Sequence, residues 1–441
     1  MSINYFEGEG QNLWNKAKEI IPGGNMLLSK RSEMFLPDLW PSYFSKAKGC
    51  YIWDLNDRKL TDLSIMGIGT NILGYGNEEV DQSVKEVIQK GNMSTLNCPE
   101  EVYLAEKLLD IHKWANKVRF SRAGGEANSI AVRIARAATG KEKIAICGYH
   151  GWHDWYLSTN LKGNSELEEH LLPGLEPNGV PKGLQGTVIP FSFNKTEQIK
   201  EIAANNELAA IKLEVQRNEP PSKEFLEFIR NICTQKNIVL IFDECTSGFR
   251  ETFGGIHKKF GINPDLAMFG KALGNGYAIT AVIGKDNIMD AVQKTFISST
   301  FWTERIGPTA ALKTLEIMER IRSWEIITEK GNKIKKNWDK LAQENNLKII
   351  HKGLPSLAGF DFKTKDNLKY KTFISQEMLR EGFLASNSIY VSISHKQNIL
   401  DNYFNILSKI FNKLDLCQSG KLNIDELLIG DICHSGFKRL N

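Results

Sequence analysis

The chain has 441 residues, enough for two or three domains, and its 41% hydrophobic content can form a sizeable core. The 56 basic and 52 acidic residues leave a net charge of +4, which makes no case for a nucleic-acid or anionic-membrane partner. No apolar stretch reaches the roughly 18 residues of a membrane span, and the N-terminus lacks a signal-peptide pattern. The seven cysteines are scattered without CxxC spacing, so we expect free thiols in a reducing cytoplasm.

The N-terminal part of the chain predicts helices, short strands and a glycine-rich loop. Residues 1–21 have the pattern of an amphipathic helix that ends at Pro22-Gly23-Gly24. Residues 43–65 alternate like strands around an Asn-Asp turn, and residues 77–113 predict two helices with a break between them. The glycines between positions 67 and 76 do not fit GxGxxG, so we expect a loop where backbone segments approach closely.

A small-residue turn follows the next predicted strand. Lys117–Phe120 predicts a short strand, and residues 121–128 lead into a helix. Gly124 and Gly125 stand at the start of that helix, where backbone N–H groups and the helix dipole favour an anion. An ordinary strand-to-helix connection is the alternative.

Two further strands end next to polar residues. The strand Lys143–Ile146 is followed by Tyr149-His150-Gly151, and the strand Leu208–Leu213 ends at Glu214. Between them, residues 152–186 are polar, rich in Gly and Pro and poorly periodic, which predicts a long excursion. The histidines of this region have no carboxylate–histidine set with ligand spacing, so we expect no metal site.

Residues 238–285 contain the strongest pattern. The apolar run Ile238–Phe242 suits a strand buried on both faces of a parallel sheet, and Asp243 follows it. A second run, Leu266–Phe269, is followed by Gly270 and Lys271, and a third run spans 278–283. Open α/β sheets bind ligands at the carboxyl ends of their strands, so the acid and the lysine are expected to converge on one ligand.

These motifs, FDExxSGFR and PDLxxFGKALGNGYxxxAxxG, resemble the core of the fold-type I, class III pyridoxal-phosphate aminotransferases, the family that includes glutamate-1-semialdehyde 2,1-aminomutase. The resemblance runs from about Pro22 to the end of the chain. It implies an α/β fold with a large domain built on a mostly parallel sheet and a small α+β domain built from both termini. We expect residues 1–75 and 316–441 to form the small domain and residues 76–315 the large one.

The resemblance assigns the central residues to the cofactor, pyridoxal 5'-phosphate. Lys271 would hold the cofactor aldehyde as a Schiff base and later move the substrate proton, and Asp243 would keep the pyridine nitrogen protonated. Tyr149 would stack on the cofactor ring, next to His150. Cys245 stands where relatives place an apolar residue against the opposite ring face. No basic group is clearly placed to activate its thiol, so we expect it to serve in packing.

The phosphate would bind at Gly124 and Gly125. Relatives have a hydroxyl residue in this turn that Ala-Gly-Gly-Glu-Ala lacks, so the backbone donors carry the prediction. In relatives a threonine before a later helix reaches the phosphate of the partner subunit. Thr300 aligns best with it, and Thr303 is the second candidate. The resemblance therefore implies a homodimer with shared active sites.

The remaining predicted contacts are less specific. Glu214 matches the glutamate of the family's Glu-Pro motif, and Gln216, Arg217 or Asn218 just after it should reach the cofactor's 3-hydroxyl. We favour Arg217 or Asn218, with a solvated loop as the alternative, and Arg217 is also expected to bind substrate. Relatives use an arginine near Lys30 and Arg31 to bind a substrate carboxylate. Either residue could bind an anion, or the two could form a solvated basic pair.

The expected activity is transfer of an amino group from an amino-acid donor, glutamate, to a carbonyl acceptor of sugar type. The alternative is an aminomutase, which moves the amino group within one molecule. Residues 386–390 lack the acid with which the aminomutase senses its substrate, which argues against the alternative. A non-catalytic protein on the same scaffold would lack Lys271 or Asp243. Beyond residue 312 the chain predicts a long helix to about 345, strands near 349 and at 357–362, and a helix from Phe373.

Overall fold

The computed structural model describes residues 3–163 and 175–436. They form two compact units, one from residues 1–77 and 326–441 and the other from residues 78–325. The first division is close to the expected 75/76. The second lies later than 315/316, within a helix.

Strands alternate with helices in the middle of the chain, from residue 117 to residue 243. The β-strands of the described part are β1 Phe44–Lys48, β2 Tyr51–Asp54, β3 Lys59–Leu63, β4 Lys117–Ser121, β5 Lys143–Cys147, β6 Val188–Pro190, β7 Leu208–Glu214, β8 Val239–Asp243, β9 Leu266–Phe269, β10 Thr280–Gly284, β11 Ile349–Lys352, β12 Leu357–Phe362, β13 Phe383–Ala385 and β14 Ser388–Tyr390. The α-helices are α1 Glu9–Ile20, α2 Met66–Gly69, α3 Glu78–Gln89, α4 Glu100–Ile111, α5 Gly124–Thr139, α6 Asp154–Leu157, α7 Thr196–Asn205, α8 Lys223–Lys236, α9 Asp286–Met289, α10 Ile306–Ile321, α11 Ser323–Glu344, α12 Asn367–Arg380, α13 Gln397–Gln418 and α14 Ile424–Leu427.

The unit of residues 78–325 is built on a seven-stranded sheet with the order β4-β10-β9-β8-β7-β5-β6. The strands from β9 to β6 are parallel, and β10 is antiparallel to both of its neighbours. Every residue of β7 and β8 is buried, as expected for strands covered on both faces. Helix α5 covers one face, where Ile130 and Ile134 pack in one core cluster with Ile146 and Ile241. The predicted α/β fold with a mostly parallel sheet is confirmed.

The unit of residues 1–77 and 326–441 contains two smaller sheets. One has the order β1-β2-β3-β13, with β13 parallel to β3, and the other is the antiparallel sheet β11-β12-β14. His395 links the two chain segments of this unit. Its Nε2 lies 3.0 Å from the carbonyl oxygen of Asp62, and the Ser392 amide donates to its Nδ1 at 3.2 Å. Burial lowers the pKa of His395 to about 3, so the ring is neutral at physiological pH.

Several predicted boundaries move. The long helix expected to about 345 is two helices, α10 and α11, because Arg322 adopts a left-handed conformation with φ 52° between them. The helix predicted from Phe373 begins earlier, at Asn367. Residues 164–174 of the predicted excursion lie outside the described residues. No helix in the described ranges is both long and apolar enough to cross a bilayer.

Candidate active site

Four neighbouring parallel strands bring the predicted site residues to one edge of the large sheet. Strands β5, β7, β8 and β9 run in the same direction, so their carboxyl ends lie together. Tyr149 and His150 follow β5, Glu214 ends β7, Asp243 ends β8 and Lys271 follows β9. The topology therefore gathers residues that are far apart in the sequence.

Asp243 is a buried carboxylate with three polar contacts in the protein. Its Oδ2 lies 2.9 Å from His150 Nδ1 and 3.6 Å from Lys212 Nζ, and its Oδ1 accepts from the Cys245 amide at 3.1 Å. Burial alone would raise the pKa of Asp243, but the Lys212 ammonium and the His150 bond outweigh it and hold the pKa well below its usual range. The carboxylate therefore stays ionised and can pair with a cationic ligand group.

Lys271 is held in a strained position. Its φ of 41° lies in the left-handed region that non-glycine residues rarely adopt, and such strain is concentrated at functional sites. Its Nζ donates to Thr246 Oγ1 at 2.8 Å. Burial lowers the pKa of the amine, so its neutral, nucleophilic form is more accessible than that of a surface lysine.

A connected group of three residues lies at or just after the ends of β5 and β7, at the same sheet edge as Asp243 and Lys271. Its members are Tyr149, Glu214 and Arg217. The Tyr149 amide donates to Glu214 Oε2 at 2.9 Å, and Arg217 Nη1 donates to the same oxygen at 2.9 Å. The Arg217 guanidinium lies 5.7 Å from the centre of the Tyr149 ring. Gly148 has φ 105°, and a Cβ there would come within 2.8 Å of Glu214 Oε2, so the loop after β5 needs a glycine to lie on this glutamate.

The first turn of α5 offers an anion site. Its leading N–H groups have no acceptor within the helix, so those of Gly124 and Gly125 are suited to a phosphate. Glu126 accepts from the backbone N–H groups of Arg122 and Ala123 at 2.8 and 2.9 Å, which fixes the chain entering the helix. A Cβ on Gly125 would come within 2.7 Å of the His153 ring, so only glycine fits at this position of the turn.

Cys245 packs between these elements. Its Sγ would lie 3.9 Å from a Cβ on Gly124 and 3.5 Å from one on Gly270. Burial raises the pKa of the thiol well above its ordinary value, so the sulfur stays protonated and unreactive.

Three of the other predicted residues, Thr300, Thr303 and Asn218, are exposed on the unit of residues 78–325. Thr303 donates to the Thr300 carbonyl at 2.9 Å. Lys30 is exposed and Arg31 buried, and both belong to the unit formed by residues 1–77 and 326–441. In the described ranges, no three His, Cys, Asp or Glu side chains are grouped to hold a metal ion.

Sequence reasoning missed two residues that contact the cluster. Lys212 interrupts the apolar run LAAIKLE two positions before Glu214, and a charge inside a buried strand was the available signal. Thr246 lies in the predicted motif after Asp243, but only the fold shows that its hydroxyl accepts from Lys271.

The model of the class III aminotransferase family matches residues 38–410. The chain belongs to this family. The 3-aminobutyryl-CoA aminotransferase of Cloacimonas acidaminovorans is 34% identical over 373 residues, which cover 82% of this chain and 85% of the relative. The glutamate-1-semialdehyde 2,1-aminomutase of Sulfolobus acidocaldarius is 31% identical over 428 residues, 92% of this chain and all of the relative.

Solved structures agree with this placement. The FumI protein of a Sphingopyxis species, solved in its pyridoxal-phosphate internal aldimine form, superposes with a TM-score of 0.83 at 22% identity, over 96% of this aminotransferase and all of that chain. The predicted family, enzyme class and cofactor, pyridoxal 5'-phosphate, are confirmed. The donor set fits the cofactor, because a buried acid, a lysine amine, an aromatic ring and a helix N-terminus meet at one sheet edge.

Proposed function

We propose that this enzyme takes the amino group of an α-amino acid, with L-glutamate as the donor, and passes it to a carbonyl acceptor. One observation supports the proposal above the others. Lys271 and Asp243 lie at one sheet edge with Tyr149, and the Arg217 cation stands 5.7 Å from the Tyr149 ring, where a donor carboxylate can be bound.

The residues of the chain divide the work between them. Bound pyridoxal phosphate supplies an electron-withdrawing ring that stabilises negative charge on the substrate carbon. Asp243, ionised at physiological pH, pairs with the protonated ring nitrogen. Gly124 and Gly125 hold the phosphate through their N–H groups, and Tyr149 stacks on the ring. The Lys271 amine, displaced by the donor amine, would move the proton from the substrate carbon to the cofactor carbon, and its lowered pKa favours the neutral form that accepts the proton.

Arg217 is the proposed ligand of the donor carboxylate. Its side chain is 37% exposed while Glu214, its partner at 2.9 Å, is 5% exposed, so the guanidinium presents its outer face to solvent. A planar guanidinium can bind two carboxylates at once through separate N–H groups. We further propose that Asn218 reaches the cofactor's 3-hydroxyl and that Lys30 or Arg31 binds an anionic group of a substrate.

We propose that the acceptor is a sugar-type carbonyl, since residues 386–390 carry no acid and Asn387 is committed to the Phe360 carbonyl at 2.7 Å. An aminomutase is the second candidate, favoured by the 31% identity to the archaeal aminomutase.

Absorbance of the holoenzyme separates the candidates. Addition of L-glutamate alone should remove the long-wavelength cofactor band, and a carbonyl acceptor should restore it. The acceptors to compare are keto sugars, 3-oxoacyl thioesters and glutamate-1-semialdehyde. Conversion of the semialdehyde without any donor would establish the aminomutase, and failure of every keto sugar would refute the sugar proposal. Lys271→Ala is the control that should not respond.

We also propose a homodimer in which Thr300 binds the phosphate of the partner subunit. The exposure of Phe296 at 81% and Phe301 at 70% beside it is typical of a surface that a second copy covers. Mixing Thr300→Ala subunits with Lys271→Ala subunits should recover activity, because each mixed dimer would contain one intact site. No recovery after demonstrated subunit exchange would refute sharing.

A further inference from the structure

Lys212 lies in the middle of β7, inside the apolar layer of the large sheet. The residue is fully buried, with 0% of its surface exposed. Its cross-strand neighbours are Ile146 on β5 and Ile241 on β8, both fully buried members of the cluster covered by α5. An ammonium group in such surroundings is costly unless it is paired. Burial lowers the pKa of this amine, so its charged form depends on a counter-charge that raises the pKa again.

That counter-charge is the acid of the cofactor site. Lys212 Nζ lies 3.6 Å from Asp243 Oδ2 and 3.7 Å from the thioether sulfur of Met268. Asp243 Oδ2 is also the atom that faces His150 Nδ1 at 2.9 Å. The same carboxylate oxygen therefore contacts both the Lys212 amine and the His150 ring. The titratable groups around Lys212 are Asp243 at the end of β8, Cys245 just after β8, Glu214 at the end of the strand that carries Lys212, and His150 after β5.

We propose that Lys212 is a positioning residue that sets how tightly Asp243 holds the proton on the cofactor's ring nitrogen. The proposal rests on the pairing of Asp243 with that nitrogen given above. The Lys212 ammonium has the same sign of charge as a protonated ring nitrogen, so it repels that proton and offsets part of the attraction that Asp243 exerts on it. The ring nitrogen therefore loses its proton at a lower pH than it would beside an unshared carboxylate.

The consequence bears on the reaction. A fully protonated ring withdraws electrons most strongly, whereas a ring whose proton is held less tightly withdraws them less. Lys212 would therefore moderate the electron sink without touching the cofactor or the substrate. Lys212 would act on the cofactor through Asp243, whose carboxylate lies 3.6 Å from the Lys212 amine.

The test is the titration of the ring nitrogen itself, followed by ¹⁵N NMR of holoenzyme reconstituted with ring-¹⁵N-labelled pyridoxal phosphate. Lys212→Met keeps the length of the side chain and removes the charge. In this variant the ring nitrogen should stay protonated to a pH about one unit higher than in the wild type. The matched control is Ile211→Met, also fully buried on β7 but directed to the opposite face of the sheet, which should leave the titration unchanged.

Two further variants distinguish a failure of the Lys212 proposal from a failure of the proposed pairing between Asp243 and the ring. Lys212→Gln, neutral but polar, should shift the titration in the same direction and replaces Lys212→Met if that protein does not fold. An unshifted titration in the folded neutral variants would overturn the proposal. Asp243→Asn should lower the pH at which the ring nitrogen loses its proton. If it does not, the pairing of Asp243 with the ring is wrong, whereas a normal response to Asp243→Asn with none to Lys212→Met refutes the role of Lys212 alone.

Discussion

Removal of the Asp243 charge should destabilise the protein mainly because it leaves the buried Lys212 without its counter-charge. In Asp243→Asn the ammonium keeps its buried position, with 0% exposure, and loses the carboxylate 3.6 Å away. Breaking a buried pair from one side typically costs about 3–5 kcal/mol, whereas replacing it with apolar side chains of similar volume is often neutral or stabilising. We therefore expect Asp243→Asn to cost about 3–5 kcal/mol. Lys212→Met should cost less, because Asp243 keeps the His150 ring and the Cys245 amide as partners.

The double mutant decides whether this reasoning is right. Asp243→Asn with Lys212→Met should recover most of the loss, giving a coupling free energy of about 2–4 kcal/mol. Urea unfolding is best measured on apoprotein, because a bound cofactor stabilises the folded state by mass action and the variants will differ in affinity. If the two substitutions have additive effects on the free energy of unfolding, the proposed interaction between Asp243 and Lys212 is refuted. The exposed pair Lys333–Glu329, at 2.7 Å, is the control and should show no measurable coupling.

Three further predictions concern other parts of the molecule. Tyr149→Ala should weaken cofactor binding by roughly 1 kcal/mol, about fivefold in the dissociation constant, while Tyr149→Phe keeps the ring and most of the affinity; equal losses in fluorescence titrations would contradict stacking. Gly331→Ala should lower the melting temperature, with a loss of about 1–3 kcal/mol or more, because its Cβ would lie 1.8 Å from the Pro355 carbonyl oxygen; Gly183→Ala, with open space around it, should not. His395, with a pKa lowered by burial from 6.5 to about 3, should destabilise the fold by up to roughly 1.4 kcal/mol per pH unit as the pH falls between these values, since only the unfolded state takes up the proton; His395→Gln should flatten that part of the urea-midpoint profile.

The elements that could be predicted share a physical reason. Runs such as Ile238–Phe242 are buried on both faces, so their composition alone marks them as central strands, and a polar residue at the end of each marks the ligand edge. This pattern predicted that Asp243 and Lys271 converge on one ligand, and the resemblance to the family implied their roles. Their identification needed no knowledge of side-chain contacts.

The rest depended on information that is not local in the sequence. Lys212 could not be assigned a role, because its partner lies on another strand and sequence does not show which two side chains meet. The break at Arg322 was missed because arginine is a good helix former and nothing in its neighbours requires the left-handed conformation that the chain adopts. The roles assigned to all the site residues stay predictions, those of Lys271 and Asp243 included.

The order of the strands has a consequence for how the enzyme is made. Strand β4, which delivers the chain to the first turn of α5, is an edge strand held in the sheet by β10. Ser121 and Thr280, whose hydroxyls meet at 2.6 Å across these strands, are 159 residues apart. Contacts between such distant segments close a long loop and form slowly. During synthesis β4 therefore cannot pair in the sheet until β10 has left the ribosome, so the proposed phosphate site at the start of α5 is anchored only after that.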